Sequence, residues 1–270
     1  MTLTLLPLGT GNAFSAERHS CCNALVHDED GARAVLLIDC PHPLRKVLRD
    51  AAQVQGFALD IADVTACALT HLHADHASGV EGFLWFSRFV LGTKGTLALH
   101  DDVRARLWDG HLAGGMEQLL GEDGTTTHLT LDDVAACVRL TEQAPVRLGP
   151  FSVELRRTRH HIPTFALRVR AGGASVAFSA DTAFDPSLIA WLLEADLAVH
   201  EAGHGYGHTP LEALAALPEA DRAHMRLTHL GDEVDRAALP IAPLEEGRAI
   251  VVDELKGKGA PRATVQHEQR

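Results

Sequence analysis

Residues 70–76 read THLHADH, three histidines and an aspartate within seven positions, directly after the apolar run VTACAL at 64–69. No other feature constrains the fold as strongly, because imidazoles and a carboxylate that converge at a strand end need a cation between them. In an extended segment His71 and His73, two positions apart, leave the backbone on the same side. Asp75 and His76 follow where a helix begins, near Asp75–Ala77, and offer a second set of donors beside the first. The spacing suits two adjacent ions better than one. Neutral imidazole and carboxylate select zinc, with manganese or iron as the other candidates. Four side chains cannot saturate two ions, so further ligands must come from other strand ends. Three polar residues stand where apolar strands stop: His160 after FSVELRRTR, Asp181 after SVAFSA, and His229 within MRLTHL. Each alone reads as an ordinary strand end; together, behind HLHADH, they point to one site.

The rest of the chain alternates short apolar runs with helix-like segments, a layered α/β pattern. Strands are expected at 3–9, 23–27, 34–40, 66–71, 95–100, 151–158, 164–170, 175–180, 197–202, 225–230 and 248–254. Helices are expected over about 43–55, 76–91, 101–120, 186–194 and 210–220. Asp185-Pro186 marks one helix start. Thr209-Pro210-Leu211-Glu212 marks another, with an N-cap, a proline at the first helical position and a capping-box glutamate. No Pro/Ser-rich linker divides the 270 residues, which predicts a single domain over 1–270 with a frayed polar tail over about 256–270.

Composition narrows the function classes. Against 36 Asp and Glu there are 24 Lys and Arg, a formal charge of −12. That argues against an open basic surface tracking nucleic-acid phosphates, although bound divalent metal would reverse the sign locally. The five cysteines, Cys21, Cys22, Cys40, Cys67 and Cys137, show neither zinc-ribbon spacing nor a disulfide framework and read as reduced thiols of a cytoplasmic protein. MTLTLLPLGTGNAF at the start lacks a basic n-region and a long apolar run, so neither a signal peptide nor a membrane span is expected. Histidine is abundant, 17 of 270. His19, His27, His100, His111, His128, His224 and His267 are scattered without partners and are read as ordinary surface or packed residues.

The elements LGTGNAF (8–14), LLIDC (36–40), THLHADH (70–76), HHIPTFALRV (160–169), FSADT (178–182), HEAG (200–203) and LTHLGDE (227–233) together resemble the metallo-β-lactamase superfamily. Within it they are most similar to the ribonuclease Z-like phosphodiesterase branch, and HLHADH fits the HxHxDH signature. The resemblance implies a four-layer αβ/βα sandwich, two mixed sheets flanked by helices, with the metals at the edge between the sheets. It also implies that His71, His73 and His160 hold one metal and that Asp75, His76 and His229 hold the other. Asp181 and a water or hydroxide would bridge them. His160 competes with His161, and the family pattern His-any-aliphatic-Pro-Ser/Thr fits HHIPT with His160 first. Two cations about 3.5–4 Å apart lower the pKa of bridging water and neutralise charge on a phosphoryl oxygen, so attack on a phosphodiester is the natural reaction. Asp75 would orient the nucleophile as well as bind metal. Glu201 in HEAG and His208 in GHTP match the branch's leaving-group pair.

Two departures point away from a tRNA 3′-processing nuclease. The branch's long tRNA-binding arm falls between His160 and Asp181, where this chain has only HIPTFALRVRAGGASVAFSA, enough for a hairpin at RAGGAS. DCPHPL at 39–44 replaces a glycine-rich DCGEGTQ; Pro41 and Pro43 stiffen that loop, and His42 is expected to bring an imidazole toward the pocket. The stretch 92–150 is expected to be an insertion forming the pocket's wall and lid. Its apolar stripe Leu107, Trp108, Leu112 and Met116 is interrupted by Gly110, Gly114 and Gly115, which would let part of it move. The leading expectation is a dinuclear-metal phosphodiesterase acting through a metal-bridging hydroxide on a small or medium phosphodiester, such as a cyclic nucleotide, a nucleotide derivative or a short RNA end. The alternatives are a tRNA 3′-processing ribonuclease Z-type endonuclease, despite those departures, or a metal-dependent esterase, lactonase, thioesterase or β-lactamase on the same fold and ligands. A non-catalytic metal-dependent or nucleic-acid-binding module is the third reading. Structured tRNA is a less favoured partner than a small-molecule or nucleotide phosphodiester, a membrane is not expected, and a homodimer is compatible with the branch.

Overall fold

The computed structural model describes residues 1–56 and 58–256, and in it the apolar runs pair into two sheets. The first half of the chain forms β1 (Thr2–Gly9), β2 (Cys22–Glu29), β3 (Ala32–Ile38), β4 (Val64–Ala68), β5 (Gly95–His100), a small hairpin of β6 (Gln118–Leu120) and β7 (Thr126–His128), and β8 (Ala135–Leu140). The second half forms β9 (Val146–Leu148), β10 (Phe151–Arg157), β11 (Phe165–Ala171), β12 (Ala174–Phe178), β13 (Leu197–Glu201), β14 (Met225–Thr228) and β15 (Ile250–Val251). One sheet runs β15-β1-β2-β3-β4-β5-β8, the other β14-β13-β12-β11-β10-β9. Strands β3, β4, β5 and β8 are mutually parallel, as are β12, β13 and β14.

Alternation along the strands explains the layers. In the second sheet Leu167, Val176 and Val199 join the large core between the sheets, which includes Leu3, Leu5, Leu25 and Leu36 of the first sheet. Their neighbours Ala166, Ala177 and Ala198 face outward to a second core with Leu188, Ile189, Leu192 and Leu214. Small residues on that face let helices pack closely against the sheet. The helices are α1 (Leu44–Val54), α2 (Ala74–Ala77), α3 (Val80–Phe89), α4 (Asp101–Leu107), α5 (Ala113–Met116), α6 (Leu131–Val134), α7 (Pro186–Leu192), α8 (Leu211–Ala215) and α9 (Glu219–Ala223). Helices α1 and α3 contact β1 and β5 of the first sheet, while α7 and α8 contribute to the outer core of the second. The result is the expected αβ/βα sandwich. No helix among the described residues is long and apolar enough to cross a membrane.

Several local expectations change. The helix expected over 76–91 is two helices, α2 and α3. Between them Gly79 donates its N–H to the Cys40 carbonyl at 2.7 Å, and a Cβ there would lie 2.5 Å from the Pro41 carbonyl oxygen. The stretch 92–150 is not an insertion, because β5 and β8 within it are integral to the seven-stranded sheet. Its glycines do not break the helix either: α4 continues through a π turn at Trp108–Leu112 into α5, and Leu107, Leu112 and Met116 are buried as packing. The end of the expected 101–120 helix is strand β6. The 210–220 helix divides into α8 and α9, and only Ile250–Val251 of the expected 248–254 strand pairs, before a 3-10 turn at Val252–Leu255. The tail beyond Lys256 lies outside the described residues.

Asp185 caps α7 as expected, accepting from the Ser187 and Leu188 N–H groups, with Pro186 in the first turn. Asp185→Ala is expected to cost about 1 kcal/mol of stability, measured by urea unfolding. Thr209 does not cap α8: the cap position is Pro210, and the Thr209 hydroxyl donates instead to the Thr182 carbonyl at 2.9 Å.

Candidate metal centre

Parallel strands end together, so the residues just after them meet at one edge of the sandwich. His71 and His73 follow β4, His160 follows β10, Asp181 follows β12, Glu201 ends β13 and His229 follows β14. Asp75 and His76 lie on α2. Three non-glycine residues at these ends, Asp39, Ala180 and His229, have positive φ of 65°, 49° and 60°, a sparsely populated conformation that concentrates at functional sites.

The predicted donors converge in two sets. His73 Nδ1 lies 3.1 Å from both His71 Nε2 and His160 Nε2. His229 Nε2 lies 3.1 Å from Asp75 Oδ2, and His76 Nε2 lies 3.5 Å from the same oxygen. Asp181 touches both sets. Its Oδ2 is 3.6 Å from His71, 3.7 Å from His160 and 3.6 Å from His229, and its Oδ1 is 3.3 Å from His76. His160, not His161, enters the cluster. Gly207 supports that approach: its carbonyl accepts from His160 Nδ1–H at 2.8 Å, and a Cβ there would lie 3.0 Å from His160 Nδ1.

Hydrogen bonding leaves these nitrogens bare. His76 Nδ1–H donates to Asp39 at 2.8 Å. His71 Nδ1–H donates to the Thr70 hydroxyl oxygen at 2.9 Å, and that hydroxyl in turn donates to Asp39. With their other nitrogens committed, His71, His76 and His160 all direct Nε2 lone pairs inward. A single proton on His73 Nδ1 cannot satisfy both imidazoles facing it. His76 Nε2 and Asp181 Oδ1 are buried, face each other, and have no hydrogen-bond partner. The spacing of the three imidazole nitrogens is close to the ~3.3 Å edge of a tetrahedron with metal–nitrogen bonds of about 2.0–2.1 Å. The residues therefore fit divalent metal.

Electrostatics agree. Burial, then the neighbouring His76, holds His71 well below the usual histidine range, in the neutral form that ligates. Burial opposes a proton on His76, yet the Asp181 and Asp39 carboxylates outweigh it and raise its pKa well above normal. Burial would raise Asp181, but His76 and His229 hold it well below the ordinary carboxylate range. Positive charge between these groups answers the same demand.

Asp39 was not among the residues singled out from the sequence. Its carboxylate accepts from the Thr70 N–H, the Thr70 hydroxyl and His76 Nδ1–H, so it orients two of the donors. The signal was an acidic residue ending the apolar run LLI, the same pattern that marked Asp181. Asp39→Asn, which tolerates positive φ, is expected to weaken metal binding about 10–100-fold, measured by chelator competition. Unchanged affinity would remove Asp39 from the account. His42 does not approach this site; it lines a separate groove with Arg45, Arg49 and Phe86.

Glu201 is buried and fixed: its Oε1 accepts from the Thr182 and Thr209 N–H groups at 3.0 and 3.1 Å. His208 Nδ1 lies 3.3 Å from that oxygen and 4.0 Å from Asp181, and its ring stacks on His229 with centroids 5.3 Å apart. The Glu201 carboxylate raises the pKa of His208. Above the cluster opens a cavity of about 550 Å³ lined by Asn12–Phe14, His73–Asp75, Asp181, Gly203, His204, His208, His229 and Gly231–Glu233.

A model of the family described as Anti-Pycsar protein Apyc1 matches residues 3–250. The chain belongs to this family. An Anti-Pycsar protein Apyc1 from Paenibacillus sp. (strain J14) is 31% identical over 244 residues, 87% of this chain and 92% of its own length. Among solved structures, the metallo-β-lactamase fold protein YhfI from Bacillus subtilis superposes with a TM-score of 0.67 at 17% identity, covering 93% of this chain and 99% of its own. The short form of human tRNase Z gives 0.63 at 23% identity, covering 92% and 99%. This Apyc1-family chain therefore has the metallo-β-lactamase fold, and with its His/Asp cluster it is a metal-dependent hydrolase of the phosphodiesterase-like kind.

Proposed function

We propose that the chain hydrolyses a small phosphodiester with one phosphate, a cyclic nucleotide, using two divalent ions, with zinc the expected metal. His71, His73 and His160 would hold one ion; Asp75, His76 and His229 would hold the other, with Asp181 between. Bound there, such ions supply Lewis acidity, making water more acidic and neutralising charge on a phosphoryl oxygen. The chain's own residues do the rest. Asp75, at the floor of the cavity, is placed to orient the attacking water. His208, held against Glu201, is placed to give a proton to the departing ribose oxygen as the P–O bond breaks.

The observation that carries this reading is the charge of the cavity. Among the described residues lining it there is no lysine or arginine, and Asp232 and Glu233 are part of the lining. A polynucleotide would bring further phosphates that need basic partners, whereas a substrate with a single phosphate needs only the metals. Between His160 and Asp181 the chain forms β11, the Gly172–Gly173 turn and β12, with no arm. The cavity volume lies within the ~300–1,000 Å³ typical of small-molecule sites. A cyclic nucleotide also gives sense to the anti-Pycsar description of the relatives.

Metal-replete protein should be assayed against cyclic nucleotides, a precursor tRNA with a 3′ trailer, and a panel of lactones and thioesters. Conversion of cyclic nucleotide to nucleoside monophosphate, abolished by chelator and restored by zinc or manganese, is the expected result. Turnover of esters without phosphodiesters, or preferential cleavage of tRNA, would overturn the proposal.

A further inference from the structure

Among the described residues lining the cavity no lysine or arginine stands by to hold the phosphate, and Phe14 is the large apolar side chain among them. Phe14 lines it and is 91% exposed. An isolated exposed phenylalanine is unremarkable when its loop is loose. This loop is not loose. The Phe14 N–H donates to Asn12 Oδ1 at 2.9 Å, and the Ser15 N–H donates to the Asn12 carbonyl at 3.3 Å. The Ser15 hydroxyl and the Ala16 N–H donate to the two oxygens of Asp232, and the Arg18 N–H donates to Ser15 Oγ. At its base the Gly11 N–H donates to the His19 carbonyl, and the Leu230 N–H donates to the Thr10 carbonyl.

Asp232 and Leu230 belong to the segment that carries His229. The loop bearing Phe14 is thus registered against the metal centre itself, while the ring is held by its backbone and almost untouched by other side chains. A rigid, desolvatable aromatic face beside a phosphodiester site is what a nucleobase stacks on, and a preorganised one loses little entropy on binding.

We propose that Phe14 is the base-stacking residue of this enzyme, binding the nucleobase of a cyclic nucleotide whose phosphate sits on the metal cluster. This rests on the reading given under Proposed function and adds how the substrate's organic half is held. Stacking occurs in both the bound substrate and the transition state, so it acts through KM and not kcat.

The test compares wild type, Phe14→Ala and Phe14→Trp on a nucleoside 3′,5′-cyclic monophosphate and on the corresponding base-free ribose 3′,5′-cyclic phosphate, with bound metal and oligomeric mass measured for each protein. Phe14→Ala should raise KM for the nucleotide about 5- to 150-fold, the range for loss of one base–aromatic stack. Its kcat, its metal content and its kinetics on the base-free substrate should be unchanged, and Phe14→Trp should restore KM. If Phe14→Ala shifts both substrates equally, shifts neither, or alters KM only together with oligomeric mass, the stacking role is wrong while the phosphodiesterase reading stands. If wild type hydrolyses no cyclic nucleotide, the phosphodiesterase reading itself fails and the stacking role with it.

Discussion

Asp181→Ala is expected to lower phosphodiester turnover by about 10³-fold or more and to strip metal from the protein. This carboxylate alone approaches both donor sets, with Oδ2 at 3.6 Å from His71 and His229 and Oδ1 at 3.3 Å from His76. Without it, Asp75 is the one carboxylate left in the cluster, beside the imidazoles of His71, His73, His76, His160, His208 and His229. Loss of an outer partner costs about 10–100-fold in metal affinity, and removal of the carboxylate that approaches both donor sets is expected to cost more. Asp181→Asn separates charge from shape, since it preserves packing while removing the anion. Elemental analysis alongside kcat checks the claim. Full activity with undiminished metal in either variant would show that Asp181 is a structural residue.

His208→Gln is expected to lower kcat on a cyclic nucleotide by about 10²–10⁴-fold, the usual contribution of a positioned acid, while metal content stays at the wild-type level. The imidazole sits 3.3 Å from Glu201 and 4.0 Å from the nearest Asp181 oxygen, outside the two sets of donors that surround Asp181 most closely. A diagnostic contrast comes from the leaving group. A sugar alkoxide needs a proton as it departs, whereas a nitrophenolate leaves as a stable anion. The variant should therefore lose far more activity on the cyclic nucleotide than on a bis(nitrophenyl) phosphate. Equal losses on both substrates would mean that His208 orders the site instead of protonating the leaving oxygen.

Much of the site could be read from the chain because the fold delivers ligands in a regular way. Each donor outside the THLHADH cluster follows an apolar strand, and parallel strands that end at one edge must bring those donors together. What escaped the sequence was tertiary in origin. Asp39 ends a strand just as Asp181 does, but its role depends on Thr70 and His76 lying beside it, 31 and 37 positions away. Gly79 reads as an ordinary helix residue until the backbone at Pro41 is found against it. Thr209 carries a sound capping pattern, overridden because its hydroxyl is buried where the Thr182 carbonyl needs a donor. β8 was missed because residues along AACVRL are partly exposed at a sheet edge, which weakens the apolar signal, and without β8 the stretch around it resembled an insertion.

Anomalous diffraction from crystals of the purified, metal-replete protein addresses the central claim most directly. The account predicts two peaks flanking Asp181, about 3.5–4 Å apart, one within bonding distance of His71, His73 and His160 and the other of Asp75, His76 and His229. A single peak, or none at these side chains, would contradict it.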